Sequence, residues 1–222
     1  MHHAFRSGWL AAWLLLAACL LPSAQAADAG LSRAAPATRQ VIQWVRATLD
    51  NQQLPFIVVD KARARAFAFD ASGALRASAP VLMGAARGDH SVPGIGERPI
   101  ASIQPDERTT PAGRFEAELG HNAQGEEVLW VDYEAAVSLH RVRATQPAER
   151  RLQRLASATP EDNRISYGCI NVPRVFYEQV VQPLVGRFGG RAIVYVLPEV
   201  LPVTTVFPQL GRRAGVAQGL AE

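Results

Sequence analysis

From Leu54 the apolar pattern of this chain changes to a period of two, and that change decides its fold class. Phe56-Ile57-Val58-Val59 is a short buried-strand run. Residues 61–69 alternate strictly, with Arg63, Arg65, Phe67 and Phe69 on one face and alanines on the other. Alternation of this kind reads as one strand with unlike faces. Asp70-Ala71-Ser72-Gly73 is a turn. Residues 79–83 form another strand, ending at Gly84; residues 128–131 and 136–139 form two more, with Asp132-Tyr133-Glu134 as the bend between them. Residues 192–197 are the last strand. Residues 87–99 hold the turn-formers Gly88, Pro93, Gly94 and Gly96, and so form a long loop of the functional or mobile kind.

Helical periodicity occurs in only a few places. Residues 39–50 place Val41, Ile42, Trp44, Val45 and Leu49 on an amphipathic helix that Asn51-Gln52-Gln53 ends. Val172, Phe176, Val180 and Leu184 recur at every fourth position, and Pro183 kinks or ends that helix. Residues 141–164 are polar and arginine-rich, and are read as helix and loop. Many short strands with one or two short helices predict an α+β domain, mainly β. No internal repeat or second domain is visible.

The N-terminus predicts export. Arg6 precedes an apolar stretch over residues 9–21, Pro22 breaks it, and Ala24-Gln25-Ala26 supplies a small-x-small cleavage site. Residues 1–26 are therefore expected to be a signal peptide, placing the mature chain in the periplasm or bacterial envelope. Leu16-Ala17-Ala18-Cys19 also resembles a lipoprotein box, so a lipid tether through Cys19 is the alternative. No other stretch reaches the roughly 18–20 apolar residues that span a bilayer. Residues 27–53 are expected to be a linker and the short helix. The 23 basic and 20 acidic residues leave a net charge of +3, with no basic run that fits nucleic acid.

Removal of such a leader leaves one cysteine, Cys169, which cannot form an internal disulfide. A lone thiol in an oxidising compartment is a liability unless buried or used. A cysteine nucleophile needs a base, and histidine has the right pKa. His2 and His3 leave with the leader, and His90 and His121 sit in turns. His140 ends the apolar strand Val137-Ser138-Leu139, where a rigid element holds it. Asn171 reads as a helix N-cap, with Pro173 in the first turn, so Cys169 is expected just before a helix N-terminus that lowers its pKa. Gly168 allows close substrate approach. The histidines lack metal-ligand spacing, and no cofactor is implied.

Ser166-x-Gly168-Cys169-Ile170-Asn171, preceded by His140 at a strand end, resembles the signature of the L,D-transpeptidase catalytic domain. Thr110-Pro111-Ala112-Gly113-Arg114-Phe115 is similar to that family's Thr-Pro-x-Gly-x-Phe segment, Met83-Gly84 to the glycine-ended strand before it, and Ala192-Ile193-Val194-Tyr195-Val196 to its closing strand. The resemblance covers residues 54–198, leaving 199–222 as a C-terminal tail. It implies a β-sandwich and acyl transfer on peptidoglycan stem peptides. Cys169 would attack the carbonyl before D-Ala, His140 would act as base and then acid, and an acceptor amine would resolve the thioester. Backbone N–H groups at Gly168 and Cys169 would hold the oxyanion, and Ser166 and Asn171 would shape the loop or touch substrate.

Three features depart from the family pattern. Tyr167 stands where many members have histidine, and Arg141 follows His140 in place of glycine. His140 and Cys169 also lie 29 positions apart, a longer spacing whose extra length falls in residues 141–164, a candidate flap over the site. Two other outcomes stay open on the same residues: a hydrolase in which water resolves the thioester (an L,D-carboxypeptidase or amidase), and a non-catalytic wall-binding module.

Overall fold

The computed structural model describes residues 30–32 and 34–211. The proposed leader, its cleavage site and Cys19 lie outside the described residues. Among the described residues no helix is long and apolar enough to cross a membrane.

The chain is α+β and mainly β. Eight strands make one sheet in the order β3-β2-β1-β10-β5-β6-β7-β9. These are β1 (Phe56–Asp60), β2 (Arg65–Phe69), β3 (Leu75–Pro80), β5 (Gly113–His121), β6 (Glu127–Asp132), β7 (Val137–Arg141), β9 (Ile170–Val172) and β10 (Arg191–Val196). The pairs β1–β10 and β7–β9 are parallel, and the others are antiparallel. A small parallel pair joins β4 (Met83–Gly84) to β8 (Arg164–Ser166). Leu82 and Asn171 exchange two backbone hydrogen bonds of 2.8 Å. The segment after β3 is thereby brought to the far edge strand β9, and the sheet curls until it is nearly closed. The facing layers of a sandwich are realised here as parts of one continuous sheet.

Two cores follow from this curl. Inside it, Ile57, Val59, Ala66, Ala68, Leu129, Leu139, Ile170, Val172 and Val194 pack against Phe176, Tyr177, Val181 and Val185 of the helical stretch over residues 174–186. Outside it, Phe56, Val58, Phe67, Phe69, Ile193 and Tyr195 meet Val41, Ile42, Trp44 and Val45 of helix α1 (Pro36–Thr48). Strands β1 and β10 are therefore buried on both faces, which is why they read as unbroken apolar runs. Phe207 and Leu210 also join the outer core.

Three sequence expectations change. The strand expected over residues 61–69 is a turn followed by a strand. Asp60 Oδ1 accepts the Arg63 N–H at 3.0 Å, Lys61–Arg63 form a 3-10 turn, and Ala64 adopts a left-handed φ of 48°. The turn carries Lys61 inward to a buried ion cluster, which simple alternation does not anticipate. Strand β5, central in the sheet, was not expected. Its Phe115, Ala117 and Leu119 alternate with Arg114, Glu116 and Glu118, but charge and two glycines dilute the apolar signal. Asn171 is not a helix cap. Its backbone N–H and carbonyl are both taken by Leu82, which holds it extended in β9, and the helix starts three residues later at Arg174.

Candidate active site

Alternation places the site. On β7, Val137 and Leu139 point into the inner core, so Ser138 and His140 share the opposite face. On β9, Ile170 and Val172 point inward, which puts Asn171 on that same face, with Cys169 one period before it. The parallel register sets His140 opposite Asn171. Two residues 29 positions apart in sequence, His140 and Cys169, thereby meet on one surface.

The thiol has three close neighbours. Cys169 Sγ lies 3.7 Å from Ser138 Oγ and 3.7 Å from the Ala136 carbonyl, and it contacts the His140 ring. Burial pushes the thiol up. The neighbouring His140 ring, with the Ser138 backbone and hydroxyl, outweighs it, so the thiol titrates below its ordinary value. His140 Nδ1 lies 2.8 Å from the Arg141 carbonyl. A carbonyl only accepts, so Nδ1 carries a proton. Asn171 Nδ2 is 3.3 Å from that Nε2 and 3.3 Å from the Cys169 carbonyl.

The loop over residues 167–169 is pinned from inside. Ser166 Oγ donates to the Cys169 carbonyl at 2.6 Å and accepts the Gly168 N–H at 3.1 Å. Thr110 Oγ1 donates to the Gly168 carbonyl at 2.8 Å and accepts the Gly84 N–H at 2.9 Å. Gly168 has φ +130°, and a Cβ there would stand 2.8 Å from the Thr109 carbonyl oxygen. This corrects two expectations. The Gly168 N–H is engaged by Ser166 and is not an open oxyanion donor. The low thiol pKa arises from His140 and Ser138, since no helix starts beside Cys169.

Behind the loop lies the ion cluster. Lys61 Nζ, fully buried, donates to Asp89 Oδ1 at 2.8 Å, the Gly88 carbonyl at 2.6 Å and the Thr110 carbonyl at 2.8 Å. Asp89 in turn accepts the N–H groups of Glu199, Val200 and Leu201. The cluster joins the turn after β1, the long loop, the Thr110 segment and the chain beyond β10.

A cleft of about 290 Å³ opens at Cys169, lined by His140, Asn171, Ser166 and Tyr167, with Ile100, Arg143, Thr145, Gln146, Glu149 and Arg151 around them. Five of these positions, Arg143, Thr145, Gln146, Glu149 and Arg151, lie in residues 141–164, so the arginine-rich stretch supplies much of the cleft wall. Arg151 sits at the start of helix α2 (Arg151–Ala156) and donates from Nη1 to Asn171 Oδ1 at 2.7 Å. Arg141 faces away, over the Tyr177 ring at 4.3 Å and paired with Glu178 at 3.0 Å. Tyr167 lies under the Arg108 guanidinium at 4.1 Å. Ser138 and Arg151 are site residues that motif reading missed, and Thr110, named in the Thr-Pro-x-Gly-x-Phe segment, was given no place in the site. Ser138 was within reach of that reading, since it shares the His140 face by period two.

Among the described residues no group of three or more His, Cys, Asp or Glu is placed to hold a metal ion. No family model matches the chain, and no curated protein sequence matches it. Among solved structures it is similar to the helical cell shape determining protein Pgp2 from Campylobacter jejuni, at 10% identity and a TM-score of 0.42. That match covers 75% of this chain and 58% of the other, so the chain spans less than two thirds of that protein's length.

Proposed function

We propose that this chain is a cysteine acyltransferase of the L,D-transpeptidase kind, acting on peptidoglycan stem peptides in the bacterial envelope. The observation that carries the reading is the β7–β9 pairing, which sets a thiol of lowered pKa beside the His140 imidazole. In the proposed reaction the Cys169 proton passes to His140 Nε2 and Sγ bonds the carbonyl carbon before D-Ala. The carbonyl electrons move to oxygen, and the Cys169 N–H is the loop donor proposed to face that oxyanion. Collapse breaks the C–N bond, and His140 returns the proton to the leaving amine of D-Ala. An acceptor amine then attacks the thioester carbon and gives its proton to His140; the C–S bond breaks, and His140 returns that proton to the Cys169 sulfur. Ser166 shapes the turn, and Asn171 contacts the base.

The test is incubation of the purified protein with disaccharide-tetrapeptide, with products read by mass. Cross-linked dimer plus free D-Ala, lost in Cys169→Ala, supports transfer. Tripeptide monomer alone makes the chain a hydrolase on the same thioester, and no product with full binding makes it a wall-binding module.

A further inference from the structure

Asn171 presents opposite ends of its amide to Arg151 on one side and to His140 and the Cys169 carbonyl on the other. Arg151 Nη1 meets Oδ1 at 2.7 Å, and Nδ2 faces His140 Nε2 at 3.3 Å. A guanidinium has donors only, so it fixes which end of the amide it meets. With Oδ1 held by Arg151, the NH₂ must face His140. Arg151 is itself held, since its Nε donates to Glu149 Oε2 at 2.5 Å and its side chain is only 14% exposed. We propose that Arg151, supplied by the arginine-rich stretch, is a positioning residue that locks the Asn171 amide with its NH₂ toward His140 and so opposes a second proton at Nε2.

The chemistry follows from donor counting. His140 Nδ1 already carries a proton, bonded to the Arg141 carbonyl. An NH₂ facing Nε2 bonds the neutral ring and opposes a second proton there. That bond works against the thiolate–imidazolium pair and favours proton transfer in step with attack. Without Arg151 only the 3.3 Å bond from Nδ2 to the Cys169 carbonyl opposes a turn of the amide, after which Oδ1 would accept from a protonated Nε2 and favour the ion pair. The other charged or titratable groups lining the cleft are Arg143, Glu149 and Tyr167. Arg143 bonds Glu126, and Glu149 bonds Arg151. This inference rests on the Cys169–His140 reading, deepens it, and assigns a role to a segment outside the motif.

The experiment measures the pH profile of Cys169 alkylation by iodoacetamide, which needs no peptide substrate. Arg151→Met is expected to move the midpoint down by about one pH unit, a roughly tenfold higher thiolate-to-thiol ratio below it. Arg151→Lys, which still donates to Oδ1, keeps the wild-type profile. Asn171→Asp offers oxygen to both neighbours and shifts the midpoint down as Arg151→Met does, so it decides the matter if Arg151→Met does not fold. An unshifted or upward-shifted midpoint in the folded Arg151→Met or Asn171→Asp variant overturns the inference. If wild type and His140→Gln give the same ordinary thiol profile, the Cys169–His140 reading itself fails, and the inference falls with it.

Discussion

His140 and Asn171 stand opposite one another in the parallel β7–β9 pair, and their side chains meet at 3.3 Å between Nε2 and Nδ2. The strand that carries the proposed base and the strand that follows the thiol are therefore one structural unit. The ring lowers the Cys169 pKa, so removing it has a definite sign. His140→Gln should raise the midpoint of Cys169 alkylation and slow turnover by about a hundredfold to ten-thousandfold, the usual range for loss of a general base. Stopped alkylation time courses between pH 5 and 10, alongside steady-state product assays, check both effects.

Thr110 holds the nucleophile turn from behind through Gly168. Thr110→Val keeps the shape but leaves the buried Gly168 carbonyl and Gly84 N–H without the hydroxyl. Stability should fall by about 1–3 kcal/mol, and turnover should fall at unchanged substrate KM. Thr110→Ser should restore most of both. Urea denaturation and initial rates on the same samples separate the two effects.

Gly168→Ala tests the backbone of the turn. The φ of +130° and the Thr109 carbonyl 2.8 Å from an added Cβ both oppose a side chain. Strain of order 1–3 kcal/mol is expected, relieved by moving the turn that carries Cys169. Near-native melting with alkylation and turnover both reduced is the predicted combination.

The Lys61–Asp89 cluster gives the fold an acid sensitivity. Burial raises the Asp89 pKa, but the bond from Lys61 and three backbone N–H groups bring it from 3.8 to about 2. A carboxyl depressed on folding adds stability above its unfolded pKa and loses it as pH falls through the folded one. The contribution, about 2 kcal/mol, should be present above pH 4 and vanish between pH 4 and 2. Urea midpoints across that range should fall more steeply for wild type than for Asp89→Asn. Lys61→Met, which leaves the buried Asp89 without its cation, should cost about 3–5 kcal/mol at neutral pH.

Much of this architecture is legible in the sequence where one physical period dominates. Strands β1 and β10 are buried on both faces and read as apolar runs, and α1 shows its stripe of Val41, Ile42, Trp44 and Val45. The elements that escape reading are those shaped by long-range partners. Lys61 breaks its strand because Asp89, 28 residues away, draws it inward. Asn171 resembles a cap, yet Leu82 pairs with its backbone and Arg151 takes its side chain. For the site, the Ser166–Asn171 motif marks the loop, but Arg151 and Thr110 join it only through the curled sheet.

The central claim is that Cys169 becomes acylated by a stem peptide, and intact-protein mass spectrometry tests it most directly. The protein is mixed with disaccharide-tetrapeptide, quenched in acid within seconds, and mapped by peptide fragmentation. The account predicts an adduct of the donor less D-Ala on Cys169, absent in Cys169→Ala and slow to form in His140→Gln. An unmodified Cys169 at every quench time, with donor consumed or bound by the same sample, would contradict it.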